Sequence, residues 1–149
     1  KVDTPYRPAI SLILQMNEPL KIIGAETLEG MWRRDAWLAE ATRSAVTALK
    51  LELFATRPGN VLTAVKTPQG VDGEKLVTEL RDKIGVTFAG GQDEMKGKVF
   101  RIAHLGYMDR FDITTAIAAL EFGLKRQGFE VKLGAGVAAA EEILWKDPA

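Results

Sequence analysis

The apolar positions of this chain change period several times, and each change predicts an element. From Ala9 onward, Ile10, Leu12, Ile13, Leu14 and Met16 predict a helix, with Pro8 acceptable in its first turn, where its missing N–H has no helical partner to lose. Pro19 removes a backbone donor, so a break or kink is expected near Asn17 before Leu20, Ile22 and Ile23 resume the pattern. Gly24 or Thr27 restarts the chain. Leu28, Met31, Trp32, Asp35, Leu38, Ala39, Thr42, Val46 and Leu49 then form a stripe of helical period, which predicts a long amphipathic helix over 28–49.

The texture then shifts. Leu51–Phe54 is a short strand candidate, Arg57-Pro-Gly-Asn60 a turn, and Val61–Lys66 an alternating, β-branched second strand. Pro68, Gly70 and Gly73 mark a loop, with Asp72 as the cap of a helix over Glu74–Ile84 that Gly85 ends. Val86–Phe88 is short and extended. Gly90-Gly91 opens a polar loop to Gly97, and Val99–Leu105 is the clearest strand. Asp112 is expected to cap a helix over Ile113–Arg126 that stops at Gly128, and an alanine-rich helix from Val137 to Trp145 closes the chain. Two helices followed by β-β-α-β-β-α-α predict an α+β fold, a small mixed or antiparallel sheet covered on one face by helices. The long N-terminal helices offer more apolar surface than so small a sheet can cover, so they are expected to pack against something further. Residues 1–8, punctuated by Pro5 and Pro8, read as an extended arm, and 9–149 as one domain. A start at Lys1 rather than Met reads as a cut inside a longer chain.

Composition narrows the function classes. The chain has 149 residues, 46% hydrophobic and 27% charged, an ordinary globular balance. Lys+Arg and Asp+Glu both number 20, so no electrostatic reason favours nucleic acid or an anionic membrane as partner. No apolar run approaches the roughly 18 residues of a membrane span. Cysteine is absent, which removes disulfides, thiolate nucleophiles and Cys-based metal sites and fits a reducing, cytoplasmic compartment. With His104 the single imidazole, no metal site is predicted.

The candidate chemistry gathers in Lys98-Val-Phe-Arg-Ile-Ala-His-Leu-Gly106. A strand there sets Arg101, Ala103 and Leu105 on one face and Phe100, Ile102 and His104 on the other. An arginine among apolar neighbours must reach solvent, pair with a surface carboxylate or bind an anion, and its planar fork suits a carboxylate. His104 lies on an apolar face with no Ser, Cys or Asp at triad spacing, so a hydrogen-bonded structural role is expected. Gly90-Gly91-Gln92 is either an ordinary turn or a backbone cradle for an anion. Asp109-Arg110-Phe111-Asp112 reads as the start of a helix with local charge pairing, and Trp32 and Trp37 as packing. Thr4-Pro5-Tyr6-Arg7-Pro8 is a stiff segment, either a linker or a docked arm.

Gly90-Gly91-Gln92 followed by Lys96-Gly-Lys-Val-Phe-Arg-Ile-Ala-His-Leu-Gly106 resembles the C-terminal signature of class V aminotransferases, above all the alanine–glyoxylate and serine–glyoxylate branch with its soluble hydrogenase small subunits. Thr4–Ser11, Leu28-Glu-Gly-Met-Trp32, the 109–124 segment and Leu133-Gly-Ala-Gly-Val137 fit the same family in the same order. The resemblance implies the small domain of a homodimeric, fold-type-I enzyme that uses pyridoxal 5'-phosphate. It also implies transfer of an amino group between a small amino acid and a 2-oxo acid such as glyoxylate. Arg101 is the matching position for an arginine that grips the substrate carboxylate. Thr4 and Tyr6 match a segment that reaches toward the cofactor phosphate of the neighbouring subunit, although a threonine is common in relatives where Arg7 stands here. The lysine that holds the cofactor belongs to the family's large domain, and no lysine of this chain sits in that motif, so this piece alone is expected to be inactive. A desulfurase or phosphoserine aminotransferase is a variant within the same fold, the absence of cysteine weighing against the former. The rival from another class is a free-standing, non-catalytic α+β module that binds a partner protein or an amino acid.

Overall fold

The computed structural model describes residues 8–148. Two helices come first, α1 (Ile10–Glu26) and α2 (Leu28–Ala48), joined through Thr27. Thr27 serves α2 as N-cap, its hydroxyl accepting from the Gly30 N–H at 3.1 Å, although its φ of 72° is unusual for a β-branched residue. Of the break or kink expected near Asn17, ahead of Pro19, the break is not there. The helix runs through Pro19, because a proline forfeits only the bond to the carbonyl four residues back and the turns on either side keep theirs. None of the described residues of α1 is buried, whereas α2 buries Leu38, Ala39, Ala41, Thr42, Ala45 and Val46.

A three-stranded antiparallel sheet follows, in the order β1-β3-β2, built from β1 (Leu62–Lys66), β2 (Ala89–Gly90) and β3 (Val99–Ala103). The register sets Ala64 opposite Arg101 on one side of β3 and Ala89 opposite it on the other. Three strand expectations shift. Leu51–Phe54 contracts to a single bridge, Leu53 to Val65, since its backbone exchanges bonds with β1 only around that pair. Val86–Phe88 is unpaired and the ladder begins one residue later, at Ala89. The strand predicted over 99–105 ends at Ala103, with the His104 N–H still bonded to the Val61 carbonyl.

Helix α3 (Gly73–Glu79) continues into a π-helical turn over Leu80–Ile84 and ends at Gly85 with φ 87°. Asp72 caps it as expected, accepting from the Glu74 and Lys75 N–H groups. Helix α4 (Arg110–Arg126) starts earlier than predicted. Its cap is Asp109, and Asp112 is instead the third helical residue, returning a bond to the Asp109 N–H at 2.8 Å to complete a capping box. Helix α5 (Ala135–Leu144) packs most extensively against α2 and then against α4. Gly136 allows that approach, since a Cβ there would lie 2.9 Å from Leu49 Cδ1 and 3.0 Å from Ile117 Cγ2. One sheet face, Val65, Phe100 and Ile102, is buried with Leu38, Leu76, Ile113, Ile117, Leu120 and Leu144 of the helices in a single core. The other face carries Arg101, Ala103, Leu62 and Ala64, which are partly or fully exposed, beside the buried Val99.

Candidate functional site

Strand alternation divides the 98–106 segment as the sequence predicts. Phe100, Ile102 and His104 are buried, Arg101 is half-buried and Ala103 is exposed. His104 has no exposed surface, and both ring nitrogens are engaged, Nδ1 with the Asn60 carbonyl at 3.1 Å and Nε2 with Thr63 Oγ1 at 3.0 Å. A carbonyl can only accept, so Nδ1 carries the proton and Nε2 accepts from the threonine hydroxyl. Burial pushes the imidazole down to about 4, against the opposing effect of the Asn60 hydrogen bond and with a smaller contribution from the Arg43 charge. A histidine so placed ties β1 to the end of β3.

Arg101 is different. One guanidinium nitrogen, Nη2, donates to the Gly90 carbonyl at 3.0 Å. Its Nε is shielded from solvent and has no hydrogen-bond partner among the described residues, and no carboxylate there forms an ion pair with it. The residues directly opposite it on both flanking strands are alanines, Ala64 and Ala89, whose methyl groups leave room beside it. A half-buried guanidinium with one engaged donor out of five is poised for a planar, bidentate anion.

The Gly90-Gly91 pair is a turn, not an open cradle. The Gly91 N–H is spent on the Val99 carbonyl at 2.9 Å, and the next residues coil into a 3-10 turn over Asp93–Met95. Trp37 packs against the core and donates from Nε1 to the Ile143 carbonyl at 3.1 Å, while Arg110 lies over its ring at 5.0 Å. Trp32 is exposed rather than packed. Thr4 and Tyr6 lie outside the described residues. Among the described residues, no cluster of three His, Asp or Glu is placed to hold a metal ion, and no helix is long and apolar enough to cross a membrane.

Sequence reasoning missed one polar cluster. Arg34 on α2 grips Glu26 at the end of α1 with two bonds, 2.6 and 3.1 Å, and also meets Asp35 and the Met108 carbonyl. The hydrogen bond from Arg34 holds the Glu26 carboxyl below its ordinary value, while desolvation raises that of Asp35. Beside this cluster runs an apolar groove of about 340 Å³, lined by Pro19, Ile22, Ile23, Met31 and Tyr107. The only sequence signal was the Arg33-Arg34-Asp35 run, which reads equally well as a solvated helix face.

Among the described lysines, nine are exposed, and the half-buried Lys66 is paired with Glu52 at 2.5 Å. No described lysine is buried, so none offers the enclosed amine that suits a covalently held aldehyde cofactor.

No family model matches the chain. Individual proteins do. The small subunit of a soluble hydrogenase from Synechococcus is 40% identical over 147 residues, covering 97% of this chain and 38% of that protein. The serine–glyoxylate aminotransferase of Methylorubrum extorquens is 36% identical over 147 residues, covering 97% of this chain and 37% of its own length. Among solved structures, the pyridoxamine–pyruvate aminotransferase of Mesorhizobium loti superposes with a TM-score of 0.89 at 32% identity, over 95% of this chain and 37% of that one. The ureidoglycine–glyoxylate aminotransferase of Bacillus subtilis gives 0.84 at 26% identity, over 88% and 35%. The chain thus spans less than two-fifths of the length of the relatives it matches, in their C-terminal part.

Proposed function

The chain belongs to the class V aminotransferases, and from that kinship we propose that residues 9–149 form the small domain of such an enzyme, with 1–8 an arm leading into it. The complete enzyme would be a homodimer that transfers an amino group between a small amino acid and a 2-oxo acid such as glyoxylate. The chain's relatives include aminotransferases named for serine, aspartate and ureidoglycine as partners of glyoxylate, which supports an acceptor of that class. Pyridoxal 5'-phosphate would be held by the remaining part of the protein, and alone this piece would transaminate nothing. Thr4 and Tyr6 would reach toward the cofactor phosphate of the neighbouring subunit.

The observation that carries the reading is Arg101, half-buried on the open sheet face with most of its donors unclaimed among the described residues. Its role would be to bind and orient the substrate carboxylate, so that the reacting carbon arrives in one pose rather than many.

The test is kinetic and uses the complete enzyme. A charge-assisted contact of about 1.5–3 kcal/mol implies that Arg101→Ala lowers kcat/KM roughly 10- to 150-fold. Arg101→Lys keeps the charge without the fork and should fall between the two. An amine lacking a carboxylate should react alike with wild type and variant. Equal losses on both substrates would remove Arg101 from carboxylate binding and leave it a structural role.

A further inference from the structure

The Gly90-Gly91 turn has a purpose that its anion-cradle reading does not supply. We propose that the Gly90 carbonyl, held by the closed turn over 91–98, is the positioning group for Arg101, fixing its guanidinium before any ligand arrives. The proposal rests on the reading of Arg101 as a carboxylate-binding residue and adds what sets its geometry.

Arginine has a long side chain with several rotatable bonds, and a site that must freeze them on binding loses affinity for each one. Here the freezing is done in advance. Nη2 of Arg101 donates to the Gly90 carbonyl at 3.0 Å, a charge-assisted bond to a backbone acceptor that cannot swing away. The backbone of β2 is itself pinned to β3, with Ala89 opposite Arg101 and Gly90 opposite Phe100. Just before β2, the Phe88 ring stacks on that of Phe100 at 6.1 Å, anchoring the incoming chain on the buried face.

Beyond Gly90 the chain is closed bond by bond. The Gly91 N–H donates to the Val99 carbonyl at 2.9 Å, that of Met95 to Gln92 at 2.8 Å, and that of Lys98 to Met95 at 3.0 Å. Thr67, just past β1, donates to the Lys98 carbonyl at 2.9 Å and ties the turn to the far edge of the sheet. Two glycines make this closure possible. A Cβ on Gly91 would overlap the Met95 carbonyl, 2.6 Å from its carbon, and one on Gly73 would overlap the Gly97 carbonyl, 2.9 Å from its carbon. In both places the contact would be with backbone, which cannot rotate out of the way as a side chain could. Asp93 accepts a φ of 46° to complete the 3-10 turn. The turn is therefore a brace, and its product is a fixed carbonyl beneath one arm of the guanidinium. The alanines on either side of Arg101 are too short to do this work.

The experiment uses the complete 15N,13C-labelled protein in solution, with sodium glyoxylate as the probe. The Arg101 Nε–Hε resonance, assigned by its loss in Arg101→Met, should be sharp and displaced from the free-arginine position in wild type. It should also shift further on titration with glyoxylate. Gly91→Ala should return the resonance to the free-arginine position and weaken glyoxylate binding about five-fold, the loss of one hydrogen bond's worth of preorganisation. Should Gly91→Ala fail to fold, Arg101→Met gives the reciprocal measurement: the Gly90 carbonyl 13C resonance should move upfield as its donor disappears. An Arg101 resonance indifferent to Gly91→Ala, or a Gly90 carbonyl indifferent to Arg101→Met, overturns the proposal. A displaced resonance that Gly91→Ala releases but glyoxylate never shifts upholds the brace while rejecting carboxylate binding by Arg101.

Discussion

Arg101 on β3 and His104 just past its end lie on opposite sides of the sheet, and the pleat decides which. His104 points into the core, where burial holds its imidazole down to about 4, whereas Arg101, three residues earlier, is half-buried on the opposite face with its guanidinium donating to the Gly90 carbonyl. The consequence for His104 is a pH dependence with a definite sign. Its unfolded imidazole takes up a proton near pH 6.5 and its folded one only near 4, so between these values the unfolded state binds more protons. The stabilisation is complete above about pH 6.5 and is lost as the pH falls toward 4, on the order of 3 kcal/mol in all. Comparing urea unfolding at pH 7 and pH 5, wild type should lose about 2 kcal/mol more than His104→Gln, whose amide does not titrate. Parallel pH slopes for the two proteins would refute the buried neutral imidazole. The alternation that separates these roles was legible in the sequence because a strand has a period of two and the flanking residues are apolar. What was not legible was the acceptor for Arg101. Backbone carbonyls carry no sequence signature, and only the folded turn brings Gly90 against the guanidinium.

Helix ends show where local signals suffice and where they do not. Asp72 and Gly85 bracket α3 as read, since a side-chain cap and a left-handed glycine act within a few residues. Asp109 and Asp112 both qualify as caps, and spacing alone could not rank them. In the folded chain they bond to each other's backbone, so the earlier one starts the helix. Helix α5 had no visible cap at all, because its cap comes from another element. The Glu121 carboxylate on α4 is almost fully buried and accepts from the Gly134, Gly136 and Val137 N–H groups, the bond to Gly136 at 2.7 Å. A negative charge at a helix N-terminus is favoured, and here it also satisfies donors that would otherwise be orphaned in the interior. Glu121→Ala should therefore destabilise the chain by about 2–4 kcal/mol in urea titration, with faster amide exchange at 134–137. Glu121→Gln, which retains one acceptor oxygen, should cost roughly half as much. An alanine variant as stable as wild type would mean that α5 is capped in some other way.

At the scale of the whole molecule, the mismatch between apolar surface and available cover is plain. Ile10, Leu12, Ile13, Leu14, Met16, Leu20 and Ile22 of α1 all stand more than half exposed, and the groove by Tyr107 continues the apolar surface. Isolated surface leucines are ordinary, but a run of this kind on one helix marks a surface meant to be covered. The chain should associate weakly at high concentration, with sedimentation coefficients that rise with loading, and Ile13→Glu with Leu20→Glu should abolish the rise. Concentration-independent sedimentation of the unaltered chain would contradict this. The excess of helix over sheet was already visible in the sequence, since counting apolar positions requires no knowledge of their partners. The pairing of α2 with α5 was not visible, because most of the chain separates them. That pairing also bears on how the protein is made. Ser44 and Trp37 on α2 reach carbonyls of Ala139 and Ile143, so one flank of α2 waits for α5 to be translated. While α5 is still inside the ribosome, that flank of the nascent chain stands uncovered, and it is in that interval that it most needs a chaperone.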